Sequence, residues 1–239
     1  MVSIQNNPGN YIAIGENIHT TRVLLRKGKR IAESDGQEVI LYQAVDGSSR
    51  QLHIPDSVKT TQDYDEGRVK HVKIALAAAM AGSGEEAENS LAYLRALAHH
   101  QEQAGATFLD INVDEFSLKS SEQKSAMQWL VGAVQKMSDL PLSIDSSDVE
   151  VIQVGLEACQ NTGARPMLNS ASLERLEALG LAVVHNAQVV VTAAGERGMP
   201  SNTEERVANA SRMVDAALNK GIARDDIHID PLVFPISVD

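Results

Sequence analysis

From about Gly84 onward the chain alternates short apolar runs with stretches of helical periodicity, and this rhythm restricts its fold more than any other feature. Phe108-Leu-Asp-Ile-Asn-Val113 reads as a strand. Ser120–Ser138, with Met127, Leu130, Val131, Val134 and Met137 at helical spacing, reads as the helix that follows. Ser120 and Gln123 have the spacing of a capping box at its start. Leu142–Asp145 is the next strand, and Ile152, Leu156 and Cys159 mark the buried stripe of the helix after it. Arg165–Ser170 opens a further unit, whose helix is expected over about Ser172–Val184. Val189-Val-Val-Thr192 is β-branched throughout, as a strand buried on both faces should be. The helix after it carries Val207, Ala210, Val214, Ala217 and Leu218 on one side, with Ser201 and Glu204 at its start and Gly221 past its end. Ile227–Val233 is the last strand.

Repeated strand–helix units with short connections imply a parallel sheet, because parallel neighbours need a crossover and helices usually supply it. The class is α/β. Counting Tyr11–Ile14 as the first strand gives six strands, whereas a closed (β/α)8 TIM barrel needs eight and about 250 residues. The sequence ends in Pro235–Asp239 with no helix after the sixth strand. The expectation is one domain over 1–239: a TIM-barrel type fold truncated after its sixth strand and missing its last two strand–helix units, with a complete open sheet as the competing reading. Residues 22–70 break the rhythm. Val23–Leu25, Glu38–Tyr42 and Arg50–Ile54 look like short strands, with Asp46-Gly47 as a turn, and together they form a β-rich insertion. A helical stretch over about Tyr64–Met80 and a Gly82-Ser-Gly84 joint lead into a helix over Glu85–Ala104.

Composition narrows the function. Against 32 acidic residues there are 21 Lys and Arg, a net charge of -11, which disfavours nucleic acid, whose backbone is bound by clustered cations. An apolar content of 43% suits a packed globule rather than a disordered chain. The single cysteine, Cys159, can form neither an internal disulfide nor a thiolate zinc site, and a cytoplasmic protein is expected. The longest apolar stretch, Ile74–Ala81, falls far short of the roughly 20 residues that span a bilayer, and Met1–Asn10 lacks a signal-peptide pattern. No set of His, Cys and carboxylates has metal-ligand spacing.

Polar residues gather at the C-terminal ends of the expected strands: Glu16 and Asn17, Asp110 and Asn112, Asp145, Asn169, and Asp230. In a parallel α/β fold these ends meet on one face, where active sites are built. For any single residue, helix capping or loop structure explains the pattern equally well; its repetition at five strand ends weighs against that reading. Carboxylates accept paired hydrogen bonds from an amino-pyrimidinone edge, and an Asn amide offers a donor and an acceptor, so the set suits a flat heterocycle such as a pterin. It suits a phosphate poorly, since neither glycine-rich phosphate-binding pattern occurs.

Ile14-Gly-Glu-Asn-Ile18, Leu109-Asp-Ile-Asn-Val113, Ile144-Asp-Ser-Ser147, Met167-Leu-Asn-Ser170 and Ile229-Asp-Pro-Leu232 fall in order and at similar spacing. They resemble the methyltetrahydrofolate:corrinoid protein methyltransferases, of the pterin-binding barrel superfamily that includes dihydropteroate synthase and the folate module of cobalamin-dependent methionine synthase. The resemblance implies that Asp145, Asn169 and Asp230 hydrogen-bond the pterin ring, and that Asn112 and Glu16 shape the pocket. It also implies a methyltransferase that moves the N5 methyl of methyltetrahydrofolate to, or from, the cobalt of a cobalamin-type corrinoid on a partner protein. Members of the family carry a further Asn at the end of the seventh strand that contacts N5; this sequence ends before it, so no catalytic residue is assigned. The 22–70 insertion is longer than the link in compact members and is expected to cover the pocket or dock the corrinoid protein. Two alternatives stay open: a dihydropteroate synthase-like enzyme, disfavoured by Leu109-Asp-Ile-Asn-Val113 and by the lack of a basic cluster after Asp230, and a non-catalytic pterin-binding module. A half-open barrel exposes sheet edges, so association, as a homodimer, is expected.

Several residues have plainer readings. His99-His100 are adjacent on a helix and do not face each other. His228 shares a strand face with Asp230, yet a packed, hydrogen-bonded His is the favoured reading, and His19 is similar. Cys159 is read as a small core residue. Arg197, in Gly195–Pro200, is the candidate to meet the folate glutamate tail or an acidic partner, although a surface turn explains that segment as well. Trp129 is read as packing.

Overall fold

The structure, a computed structural model, describes residues 11–159 and 165–233, and these divide into two compact units, Met1–Leu140 and Pro141–Asp239. The expectations for Met1–Asn10 and Pro235–Asp239 fall outside the described residues.

In the first unit, β1 (Ile14–His19) is followed by the segment that breaks the rhythm: β2 (Leu24–Leu25), β3 (Ile31–Ser34), β4 (Gln37–Gln43), β5 (Ser49–His53), the short helices α1 (Asp56–Lys59) and α2 (Gln62–Asp65), and β6 (Arg68–Val69). Strands β3, β4 and β5 make an antiparallel sheet and β2 pairs with β6. The β4–β5 turn forms where expected, because Asp46 Oδ1 accepts from Ser48 N at 2.9 Å and Gly47 takes φ 81°. Strand β3 escaped the sequence reading; it is short and half exposed, with little alternation to reveal it. Helices α3 (His71–Ala81) and α4 (Glu85–Gln103) come next, then β7 (Phe108–Asn112) and α5 (Ser120–Val134). The helical stretch expected from Tyr64 is two pieces, since Gly67 at φ 81° and β6 interrupt it.

Strand β7 is buried at all five positions and pairs in parallel with β1. The first strand lies three residues later than expected, so Glu16 and Asn17 sit inside β1, at an irregularity between Gly15 and Ile18, rather than at its end. The expected stripe of α5 is buried from Met127 to Val134. Its capping box does not form: Lys119 precedes the helix, and Gln123 Nε2 donates instead to Asp114 O and Ser117 O, at 2.7 and 2.8 Å.

In the second unit, β8 (Leu142–Asp145), β9 (Met167–Ala171), β10 (Gln188–Thr192) and β11 (Ile227–Asp230) pair in parallel in that order, separated by α6 (Val149–Ala158), α7 (Ala178–Val184) and α8 (Thr203–Asn219). Parallel strands alternating with helices establish the α/β class, and six parallel strands lie among the described residues, against eight in a closed barrel.

Two details differ from the sequence reading. Asn202, not Ser201, caps α8, accepting from Glu205 N at 2.8 Å. The buried stripe of that helix is Asn209, Met213 and Ala217, while Val207 is exposed. The polar Asn209 takes the core side because its Nδ2 donates to Ala193 O at 3.1 Å, satisfying a carbonyl just past β10. No helix among the described residues is long and apolar enough to cross a membrane.

Candidate functional site

The second unit builds the clearest polar constellation. In β8, Leu142, Ser143 and Ile144 are buried and Asp145 emerges half-buried at the C-terminal end. Asp145 is the register partner of Asn169 on β9, so their backbones stand about 4.8 Å apart. Asn169 is opposite Val190 on β10, and Asp230 is opposite Thr192, two residues further along the same strand. A step of two returns a strand to the same face. Asp145 and Asp230, at the C-terminal ends of β8 and β11, and Asn169, two residues before the end of β9, therefore share one face of one sheet.

The loops that follow are fixed by hydrogen bonds rather than by apolar packing. Asp148 caps α6 by accepting from Glu150 N at 2.8 Å, and its own N–H donates to Ser146 Oγ at 3.1 Å. Arg175 spans two strand ends: Nη1 donates to the carbonyls of Ser146 and Ser147, both at 3.0 Å, and Nη2 donates to Ser170 Oγ at 3.2 Å. Sequence reasoning passed over Arg175 because nothing about an Arg in a polar loop marks it as a brace. The bond between Asn169 and Ser170 is cis. Past β11, Leu232 N donates to Asp230 Oδ1 at 2.8 Å, and Arg206 Nε donates to Pro231 O at 2.7 Å. One oxygen of Asp230 thus holds the loop, and the carboxylate keeps acceptor capacity for a ligand.

His228 Nε2 donates to Gln188 Oε1 at 2.7 Å, and burial lowers its pKa, with Asp226 opposing the shift. It is the packed, hydrogen-bonded His that the sequence favoured. Arg197 is exposed on a tight turn closed by Gly195 N donating to Gly198 O at 2.8 Å. Cys159 stands at the end of α6, half-buried, its thiol pushed up to about 12 by burial, which makes it a poor nucleophile.

In the first unit, the sequence-derived residues are engaged locally. Glu16 is exposed and ion-paired to Arg22 at 2.7 Å, and Arg22 Nε also donates to Glu16 O at 2.7 Å. Asn112 is buried; its Oδ1 accepts from Asp114 N at 3.0 Å and its carbonyl from Thr20 N at 3.0 Å. The strand ends of this unit join a pair the sequence did not connect: His19 Nε2 donates to Asp110 Oδ2 at 2.6 Å, with His19 7% and Asp110 0% exposed. Alternation alone could have suggested it, because His19 lies opposite Asn112, and Asp110 is two residues from Asn112 on the same face.

A family model described as "Pterin binding enzyme" matches residues 81–238. The chain is 29% identical over 161 residues to the methylcorrinoid:tetrahydrofolate methyltransferase of Eubacterium limosum, an overlap of 64% of this chain and 56% of that protein. It is 31% identical over 150 residues to the methionine synthase of Mycobacterium leprae, covering 59% of this chain but 12% of that much longer protein. Among solved structures, the 7,8-dihydropteroate synthase of Vibrio fischeri ES114 overlaps 60% of this chain and 57% of its own, at 22% identity and a TM-score of 0.46. The chain thus spans little more than half of the first of these relatives. With well over half of its own length matched by the family model, the chain belongs to the pterin binding enzymes.

Proposed function

We propose that the second unit binds the reduced pterin of methyltetrahydrofolate through Asp145, Asn169 and Asp230, and that the protein moves the N5 methyl group between folate and the cobalt of a corrinoid carried by a partner protein. The observation that supports this most is the register of two acceptor carboxylates and one amide on one sheet face. The carboxylates accept from the N–H groups of the amino-pyrimidinone edge, and the Asn169 amide offers the complementary donor and acceptor. The similarity to the methylcorrinoid:tetrahydrofolate methyltransferase of Eubacterium limosum and to the methionine synthase of Mycobacterium leprae supports this class of chemistry. Glu16 and Asn112 already serve the structure of their own unit, and the proposal does not rest on them.

In the reaction the N5–CH3 bond breaks, a cobalt–carbon bond forms with the electron pair of Co(I), and N5 takes a proton. Neutral N5 leaves poorly, so the protein's task is to hold the ring and favour that proton as charge develops. The protein side is positioning: a braced loop at Ser146–Ser147, an Asx-type turn at Asp230 and an amide at Asn169.

Calorimetric titration with methyltetrahydrofolate tests the site. Each charge-assisted hydrogen bond contributes about 1.5–3 kcal/mol, so Asp145→Ala or Asp230→Ala should weaken binding roughly tenfold to over a hundredfold. Unchanged affinity in both folded variants would refute the assignment. Binding without methyl transfer to a Co(I) corrinoid protein, followed by the cobalt absorbance, would make the chain a binding module.

A further inference from the structure

A groove of about 520 Å³ in the first unit is lined by β4 and β5 on one side and α4 on the other. That volume lies within the usual range of small-molecule sites. Leu41, Tyr42, Tyr93, Ala96 and Leu97 supply its apolar and aromatic surface, beside the neutral polar Asn17, Gln43 and Ser49. Tyr42 and Tyr93 meet edge to face with centroids 4.9 Å apart. Every charged or ionisable lining group besides these tyrosines is basic: Arg30, Arg50 and His100, with no carboxylate among the lining residues. In a chain of net charge -11 this is a local reversal of sign.

The state of each cation decides what the groove can take. Arg50 is paired with Asp46 at 3.1 Å. Arg30 has no carboxylate partner among the described residues. Its Nε donates to Leu41 O at 3.3 Å and its Nη2 to Tyr93 Oη at 2.7 Å. Tyr93 Oη is in turn hydrogen-bonded to Nδ1 of the buried His71 at 2.8 Å. Burial, and then the nearby charges of Arg30 and Arg22, hold His71 down to about 4, so its imidazole is neutral near pH 7. The guanidinium is held from behind by these neutral groups, and among the described residues its Nη1 donates no hydrogen bond. Another cavity, about 470 Å³ beside α3, differs in having the carboxylates Asp63 and Glu86 among its lining residues, with Lys70 and Arg68 paired to Asp63.

We propose that this groove is a binding site for a small aryl carboxylate, its ring packed between Leu41, Leu97 and the two tyrosines and its carboxylate on Arg30. A flat apolar body matches the walls, and a single anionic group matches the one cation without a counter-ion. The guanidinium fork favours a carboxylate through paired hydrogen bonds. The proposal does not depend on the pterin reading, which concerns the other unit.

The test uses the whole chain and 2-naphthoate as probe, with binding followed by ligand-observed NMR and calorimetry. Saturable binding is expected, weakened at least tenfold by Arg30→Gln and abolished by Leu41→Glu, which places a carboxylate at an already half-exposed position. Asp230→Ala should leave naphthoate affinity unchanged, separating this site from the pterin edge. Displacement of naphthoate by tetrahydrofolate would identify the ligand as the carboxylate-bearing end of the folate. Persistence of naphthoate at saturating tetrahydrofolate would identify a separate effector. No binding to the folded chain, or equal affinity in wild type and Arg30→Gln, would overturn the proposal.

Discussion

Replacing His19 with alanine strips the buried Asp110 of a hydrogen-bond donor. The His19 Nε2 to Asp110 Oδ2 bond is 2.6 Å long, and Asp110 is fully buried on a strand whose five residues are all buried. Breaking a buried pair from one side costs about 3–5 kcal/mol, because the remaining group keeps its desolvation penalty and loses part of its compensation. A collapse of the surroundings or an entering water reduces that, so about 3 kcal/mol is expected. With a urea m-value near 2 kcal/mol/M, this is a fall of about 1.5 M in the unfolding midpoint. Asp110→Asn with His19→Ala removes the buried acid as well and should recover part of the loss. A double-mutant cycle in urea, read by circular dichroism, measures both. A His19→Ala midpoint within about 0.25 M of wild type would refute the reasoning, as would a double variant less stable than the sum of the single ones.

Two further outcomes are expected. A Cβ on Gly15 would land on Gln101 Oε1 and lie 2.8 Å from its Cδ, so Gly15→Ala should cost about 1–3 kcal/mol by overpacking, and Gly15→Ala with Gln101→Ala should be more stable than Gly15→Ala alone in the same urea assay. His71, lowered from 6.5 to about 4 in the folded protein, binds its proton more readily when unfolded. Stability is therefore full above about pH 6.5 and is lost as pH falls towards 4, amounting to about 2 kcal/mol by pH 5; His71→Gln should lose correspondingly less between pH 7.5 and 5, and equal losses would refute the assignment.

Periodicity made the second unit legible because its strands are uniformly apolar and its helices amphipathic: Val189–Thr192 and Leu142–Asp145 could hardly be read otherwise. Asp145, Asn169 and Asp230 stood out for the same reason, as polar groups ending apolar runs. What sequence patterns miss are contacts made across the chain. Asn209 looks like a solvent-facing residue until Ala193 O is seen to need a donor. Arg175 looks like loop polarity until three acceptors converge on it. Glu16 looked like a strand end because the first strand was placed three residues early, its true core-facing residues being Ile18 and His19. The groove beside α4 was invisible for a further reason: Arg30, Leu41 and Leu97 come from separate elements, and only folding of the 22–70 segment against α4 brings them together.

Gly15 also sets how that segment sits. Helix α4 packs on β1 and, on another side, on β5. The amide of Gln101, near the end of α4, occupies the space a side chain at Gly15 would need, and its Oε1 accepts from Asn17 N at 3.4 Å. The separation between helix and strand is therefore gauged by a single hydrogen atom. Whatever thickens that contact displaces α4 as a lever, and with it the wall carrying Tyr93 and Leu97. A ligand gripped some distance away would feel a methyl group it never touches, so selection on binding in the groove would fall on a glycine outside its lining.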